Sequence, residues 1–412
     1  MNINYDFFTL DNGLKVVLHL DPNCNVVTTN ILYNVGSKDE NPDCTGLAHF
    51  FEHLMFSGTR KHPKFDSFLE RVGAQNNAFT SSDITNYYIT IPSNNLEHAL
   101  YIESDRMLNL NLTQKNLDIQ KNVVIEEFKQ IYLNQPYGDI HLILRAASYN
   151  YHPYNWCPIG KEIAHIEKFN LDIASQFYKN FYSPTNAVLV VAGDINFNQT
   201  KKMIYDYFSH IPFRKINRNK YLFEPKKTEK VELKIKKDVS SNCIVLAFHM
   251  GSRLEKNFYV SKLISSLLSS GVSSRLYNNL VKKKKIFSKI QTYVGEDFDS
   301  SLFYIKGFLN DNIDYSYAEE HVFNELNFLK SNLISEQELN KVQKKNDSSL
   351  HFSLLNNSSK AIDLAVGAIL NNPNLINDDF SNFKSVSVDD IKKESKKIFR
   401  SSNCTSLYYG KM

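Results

Sequence analysis

The stretch Gly46-Leu47-Ala48-His49-Phe50-Phe51-Glu52-His53-Leu54-Met55-Phe56-Ser57-Gly58 sets two histidines four residues apart among apolar neighbours. Residues 46–56 read as a helix, with Gly58 just past its end as the stop. On a helix the two imidazoles share one face, offset by ~40° and rising ~6 Å, a workable bite for one zinc ion. Glu52 follows His49 by three residues and precedes His53, so it reaches the rim of the same site. This is the H-x-x-E-H order, the inverse of H-E-x-x-H. By itself the pair is also compatible with two ordinary helix residues beside an apolar face.

A catalytic zinc site needs a third protein ligand and an open position for water. Residues 113–132 read as a helix with Thr113 as its N-cap. Within it, Gln120-Lys121-Asn122-Val123-Val124-Ile125-Glu126-Glu127 sets two carboxylates beside an apolar run, which should turn that part of the helix into the core. Glu127, 127 − 53 = 74 residues after His53, is the expected third ligand. Glu52 is then free to take a proton from water and pass it to a leaving amine.

Working outward, residues 14–20 and 26–35 read as strands, 65–72 as a helix ending at Gly73, and 85–91 as an alternating strand. Residues 94–108 read as a long helix, and 187–192 as a buried strand ending at Gly193-Asp194. The stretch 212–230 is polar, basic and broken by prolines, and reads as a linker. The expected division is a domain over 1–213, a linker over 214–230 and a second domain over 231–412. The second half repeats the order of the first. Residues 243–251 followed by Ser252 match 26–36 followed by Ser37, and the helix ending at Gly271 matches the one ending at Gly58. In that alignment His49, Glu52 and His53 fall on Lys262, Ser265 and Ser266, and Leu117 with Leu339 puts Glu127 on Ser349. The fold is duplicated, and the metal residues stand in the first copy alone.

Composition narrows the class. A chain of 412 residues exceeds one ordinary core, and 42% hydrophobic with 22% charged residues is usual for a globular protein. A net charge of +4, with no basic stripe interleaved with aromatics, gives no sign of a nucleic-acid partner. The five cysteines are odd in number and scattered, with no C-x-x-C, which fits a reducing compartment. No secretory signal and no apolar stretch of 18 residues is visible, so the expected location is the cytoplasm, without a membrane span. Heavy use of Lys, Asn, Ile and Phe suggests an AT-rich coding sequence and a bacterial source. No G-x-S-x-G elbow, P-loop or dinucleotide fingerprint competes with the zinc motif.

The chain resembles the M16 (pitrilysin, or inverzincin) metallopeptidases, in the branch of the processing peptidases. The residues that carry the resemblance are 46–59, then Gly73-Ala74-Gln75-Asn76-Asn77-Ala78-Phe79-Thr80-Ser81, Val123-Val124-Ile125-Glu126-Glu127, and His152-Pro153-Tyr154 with Ile159-Gly160. In the second half the match runs mainly through Gly271-Val272-Ser273-Ser274-Arg275-Leu276-Tyr277. The resemblance implies an α+β fold of two homologous domains, each a mainly antiparallel β-sheet packed with helices. It implies one Zn2+ per chain held by His49, His53 and Glu127, with Glu52 as base. It implies that Asn77, Ala78, Phe79 and Thr80 form an edge strand on which a peptide is laid as an added strand, so short or unfolded peptides are the implied substrates. Gln120 stands where many relatives have a second glutamate, and with Glu126 it is expected in support of the ligands. Active relatives often carry an Arg and a Tyr in a stretch resembling R-E-x-x-G-L-A-Y. Those positions here read Val281 and Ser288, around the run Lys282-Lys283-Lys284-Lys285. The split implies a homologous partner that brings the Arg/Tyr pair, in a heterodimer, with a homodimer as the alternative. The lysine run is a candidate substrate contact or a solvated helix end. The alternative function is a non-catalytic assembly subunit of a processing-peptidase-like complex.

Overall fold

Alternating apolar residues and turn signals build eleven strands in two sheets among the residues described, 2–411, of the computed structural model. The first sheet holds β1 (Asp6–Thr9), β2 (Lys15–Leu20), β3 (Val26–Tyr33), β4 (Gln75–Thr80), β5 (Thr85–Pro92) and β6 (Ala187–Gly193). Their spatial order is β1-β2-β6-β3-β5-β4. The second holds β7 (Val231–Lys237), β8 (Cys243–His249), β9 (Phe287–Val294), β10 (Leu302–Leu309) and β11 (Cys404–Lys411), in the order β7-β11-β8-β10-β9. Apart from β1, the two orders are the same. In each sheet one pair is parallel (β2 with β6, β7 with β11) and the others are antiparallel. This is the α+β fold of two like halves that the sequence implies.

The register makes the correspondence residue by residue. Tyr87 of β5 lies between Ile31 of β3 and Ala78 of β4. Ile305 of β10 lies between Leu246 of β8 and Thr292 of β9. Ala78 and Thr292 therefore hold the same place on the two edge strands.

The packing units are not the contiguous halves expected. One takes the chain up to Gln130 with Trp156–Tyr221 and His351–Asp379, and the other takes Ile131–Asn155, Leu222–Leu350 and the chain from Phe380 onward. The reason is an exchange of helices. In the first unit the helix Asn357–Ile369, from the second half of the chain, packs on β3 and β6. Its Lys360 is buried against Asp21, and Asn357 reaches Cys24. In the second unit β8 is covered on both faces. Ile244, Leu246 and Phe248 join one core with the helix Asn257–Ser269, while Cys243, Val245 and Ala247 join another with Ile140 and Leu144. Those last two lie on the helix Ile140–Ser148, from the first half of the chain. Burying either side chain fully contributes about 1.5–3 kcal/mol, so each sheet keeps a strong hold on its borrowed helix. Duplicated patterning is visible in sequence, but which copy's helix covers which sheet is not.

Element boundaries elsewhere agree within a few residues: helices Leu47–Met55, Phe65–Arg71, Leu96–Asn109 and Gln114–Phe128 stand where the sequence puts them. The short strand β1 is additional to the elements the sequence predicts. The helix Gln114–Phe128 starts at Thr113, whose hydroxyl accepts the Asn116 amide at 3.2 Å, as a cap should. The linker stretch holds neither helix nor strand over 212–230, but it is tied down. Arg218 reaches the carbonyl of Asn34 and the carboxylate of Asp39, and Glu224 accepts the amides of Asn150, Tyr151 and His152. All five cysteines are free thiols, and among the described residues no helix is long and apolar enough to cross a membrane.

Candidate active site

The helix Leu47–Met55 buries Leu47, Ala48, Phe50, Phe51, Leu54 and Met55. Phe50 meets Phe169, and Phe51 meets Phe177 and Tyr182. His49, Glu52, His53 and Phe56 remain half-buried at the i, i+3, i+4, i+7 spacing of one face. The wide apolar face thus fixes which way the polar stripe looks.

Against this helix packs Gln114–Phe128, anchored by Leu117, Val124 and Phe128. It brings Glu127 to the stripe. Glu127 Oε2 lies 3.2 Å from His53 Nε2 and 3.7 Å from His49 Nε2. One ligand atom from each of the three residues can be chosen so that all lie within 4.8 Å of one another. Tetrahedral zinc with bonds of ~2.0–2.2 Å spaces its ligands by roughly 3.3 Å, and the two distances to Glu127, 3.2 and 3.7 Å, are close to that. Two imidazoles and one carboxylate are also the donor set of a catalytic zinc that keeps a fourth position open.

The electrostatics fit the same role. Burial lowers the His49 pKa to about 4, against the opposing pull of Glu127, so the ring is neutral and able to bind a metal at neutral pH. Glu127 is held below the usual carboxylate range, first by its hydrogen bond to His53. His49 Nδ1 is buried without a hydrogen-bond partner among the described residues, so no side chain orients that ring from behind.

Glu52 lies outside the ligand set. Burial raises its pKa, while a hydrogen bond from Thr80 Oγ1 at 2.6 Å and the neighbouring His53 lower it. Thr80 is the last residue of β4, which among the described residues has β5 on one side and no strand on the other. On this strand Asn77 is exposed, and its Oδ1 accepts the Ala78 amide at 2.8 Å. Ala78 and Phe79 are half-buried.

Two expectations change. Glu126 does not support the ligands: its side chain is 70% exposed and pairs with Lys129 at 2.7 Å. The apolar run beside it turns inward only at Val124, while Val123 is 44% exposed. Successive helix residues are rotated by roughly 100°, so neighbours in sequence take different faces. Gln120 is half-buried and donates to Ser57 Oγ at 3.4 Å, just past the end of the motif helix. A buried acidic residue that the sequence motifs do not single out is Glu40, which accepts the Gly46 and Ala48 amides at the start of that helix. The one signal for it in the sequence is a glycine where a capping side chain would be expected.

At the matching place the second copy carries hydroxyl hydrogen bonds instead of metal ligands. Ser269 Oγ accepts the Thr292 amide at 2.8 Å, and Thr292 Oγ1 donates to the Ser265 carbonyl at 2.8 Å. Lys262, the counterpart of His49, pairs with Glu296. Val281 packs partly buried on the second core, Ser288 donates to the Phe308 carbonyl, and Lys282 to Lys285 are exposed.

Comparison with known proteins gives the family. Residues 15–154 match the family profile described as insulinase (peptidase family M16), and residues 168–346 match the one described as peptidase M16 inactive domain. The chain belongs to the M16 peptidases. The zinc protease PqqE of Helicobacter pylori is 29% identical over 411 residues, covering 98% of this chain and 92% of that one. The beta subunit of the mitochondrial-processing peptidase of Caenorhabditis elegans is 29% identical over 206 residues, 49% of this chain and 44% of the relative. A solved protease structure from Helicobacter pylori superposes with a TM-score of 0.92 at 28% identity, covering 99% of both chains. For this M16 chain, the profile description of the second half fits the serines and lysine that stand at its would-be metal positions.

Proposed function

We propose that this chain is a zinc-dependent endopeptidase that cleaves short or unfolded peptides. The observation that carries the reading is the convergence of His49, His53 and Glu127 on one point, with Glu52 beside them and tied to an open sheet edge through Thr80. His49, His53 and Glu127 would hold one Zn2+ per chain, which would supply Lewis acidity toward the scissile carbonyl and acidify a water to a pKa of about 7. Glu52 takes the water proton and returns it to the leaving amine. The raised pKa of its half-buried carboxyl brings it nearer to neutral pH, where a base that must also act as an acid works best. β4 takes the substrate backbone as an added strand, with Asn77, Ala78 and Phe79 along its edge. Main-chain pairing requires an extended chain, which supports unfolded rather than folded substrates.

A homologous M16 partner completes the substrate clamp in this reading. Support comes from Val281 and Ser288, which offer neither a guanidinium nor a phenol. The five free thiols support a reducing compartment. The test is elemental analysis of the purified chain together with turnover of an unfolded peptide, alone, with a homologous partner, and after chelation. One zinc per chain and turnover abolished by chelation are expected. A zinc-free chain without turnover in any mixture would favour the assembly-subunit function.

A further inference from the structure

We propose that Glu40 is a positioning residue for the metal site, its buried carboxylate holding the first turn of the helix that carries His49, Glu52 and His53. The proposal rests on the zinc reading. Glu40 follows the short turn Ser37–Asp39 and is 4% exposed. Its Oε2 accepts the Gly46 amide at 2.8 Å, and its Oε1 accepts the Ala48 amide at 2.7 Å. Oε2 also accepts the Trp156 indole N–H at 3.1 Å, and the same N–H reaches the Ser37 carbonyl at 3.0 Å.

The helix needs this acceptor because it has none of its own. The first amides of a helix lack internal partners, and a Ser, Thr, Asp or Asn at the N-cap normally takes one of them. The N-cap here is Gly46, at φ 97° and with no side chain to offer. No capping residue fits there: a Cβ on Gly46 would stand 2.5 Å from the Ile159 carbonyl oxygen, in a backbone conformation that favours glycine. The chain crosses itself tightly at this point, and the capping function has moved six residues upstream. Burial pushes the Glu40 pKa up to about 8 against the pull of the Ala48 and Gly46 amides, so the group acts through its acceptor oxygens and not through a charge.

The link to the site is short. Ala48, whose amide Glu40 holds, is followed directly by His49. His49 has no acceptor behind its Nδ1 among the described residues, so its ring direction depends on where the helix backbone places it. Glu40 therefore does for His49, through the main chain, what an outer-shell acceptor does for most metal-bound histidines. Thr45 secures the approach from the other side, its hydroxyl lying 2.9 Å from His165 Nδ1 and accepting the Lys161 amide at 2.8 Å.

The test compares the full-length parent with Glu40→Gln, which keeps the shape but sets an N–H2 group against an N–H donor. Zinc affinity is read by competition with a chromogenic chelator, backbone order by amide exchange over residues 46–50, and ligand geometry by the visible spectrum of the cobalt-loaded chain. Expected are a loss of ~10–100-fold in zinc affinity, as for other residues behind metal ligands, faster exchange over 46–50 and an altered cobalt band. A variant with lowered Tm but parental affinity and cobalt band would show a stabilising residue only, and would overturn the proposal. If the variant does not fold, exchange in the parent decides: slow amides at Gly46 and Ala48 support it, and exchange as fast as in an open loop overturns it. A parent that binds no zinc at all defeats the zinc reading itself, and is recognised before any variant is made.

Discussion

Thr80 donates its hydroxyl to the Glu52 carboxylate at 2.6 Å, joining the last residue of the edge strand to the proposed base. The bond has two consequences. It orients Glu52 toward the ledge where a substrate would lie, and it favours the ionised carboxylate. Thr80→Val keeps the shape and removes the donor. Glu52 should then hold its proton to higher pH, and the acid limb of the kcat/KM profile should move upward. A profile that overlays the parent's would mean that Glu52 is not the group titrating in that limb.

Glu52→Gln separates chemistry from metal binding. Glutamine still accepts the Thr80 hydrogen bond but cannot take a proton. Peptide cleavage should fall by about 10²–10⁴-fold, the usual contribution of a general base. Zinc content should remain that of the parent, because Glu52 lies outside the ligand set. Normal cleavage by this variant would remove Glu52 from the mechanism.

Glu127 and Glu126 are adjacent in sequence and opposite in surroundings. Glu127 meets both histidines, while Glu126 pairs with Lys129 in solvent. Glu127→Gln replaces an anionic ligand by a neutral one, so dialysed protein should retain far less zinc and lose cleavage with it. Glu126→Gln should leave both unchanged, since an exposed ion pair of this kind contributes only ~0–1 kcal/mol to stability. Equal loss in the two variants would contradict these side-chain directions.

Much of this site is legible in the amino-acid sequence, for a physical reason. His49, Glu52 and His53 lie within about one helical turn, where spacing alone fixes their common face. Glu127 is legible because a zinc site needs a third donor and the pair Glu126-Glu127 follows an apolar run on a helical pattern. The sequence misleads at Glu126, because an apolar run suggests a segment that turns inward as a block, whereas a helix rotates each residue by roughly 100°. Glu40 is marked there only by the glycine at position 46, because the chain crossing near Ile159 and Gly160 that bars a capping side chain is far away in sequence. The exchange of helices is hidden for a related reason. Asn357–Ile369 and Ile140–Ser148 are amphipathic pieces that either sheet could have covered itself with, and tertiary packing chose.

His141 gives a prediction that does not involve the metal. It lies on the helix Ile140–Ser148, with its ring edge-on to Tyr304 and its Nε2 3.3 Å from the Tyr293 hydroxyl. Burial first, and then Lys306 and Arg145, lower its pKa to about 4. Unfolded, the imidazole takes a proton below about pH 6.5, while the folded protein refuses it until about pH 4. The folded state therefore keeps its full stability above pH ~6.5 and loses it as pH falls toward 4, by up to about 3 kcal/mol from this group. His141→Phe keeps a ring in contact with Tyr304 and removes the titration. Urea unfolding of parent and variant between pH 7 and 4 should show curves that converge on the acid side, the parent losing more. Curves that stay parallel over that window would show that His141 titrates alike in both states, and that the charges facing it are screened by water.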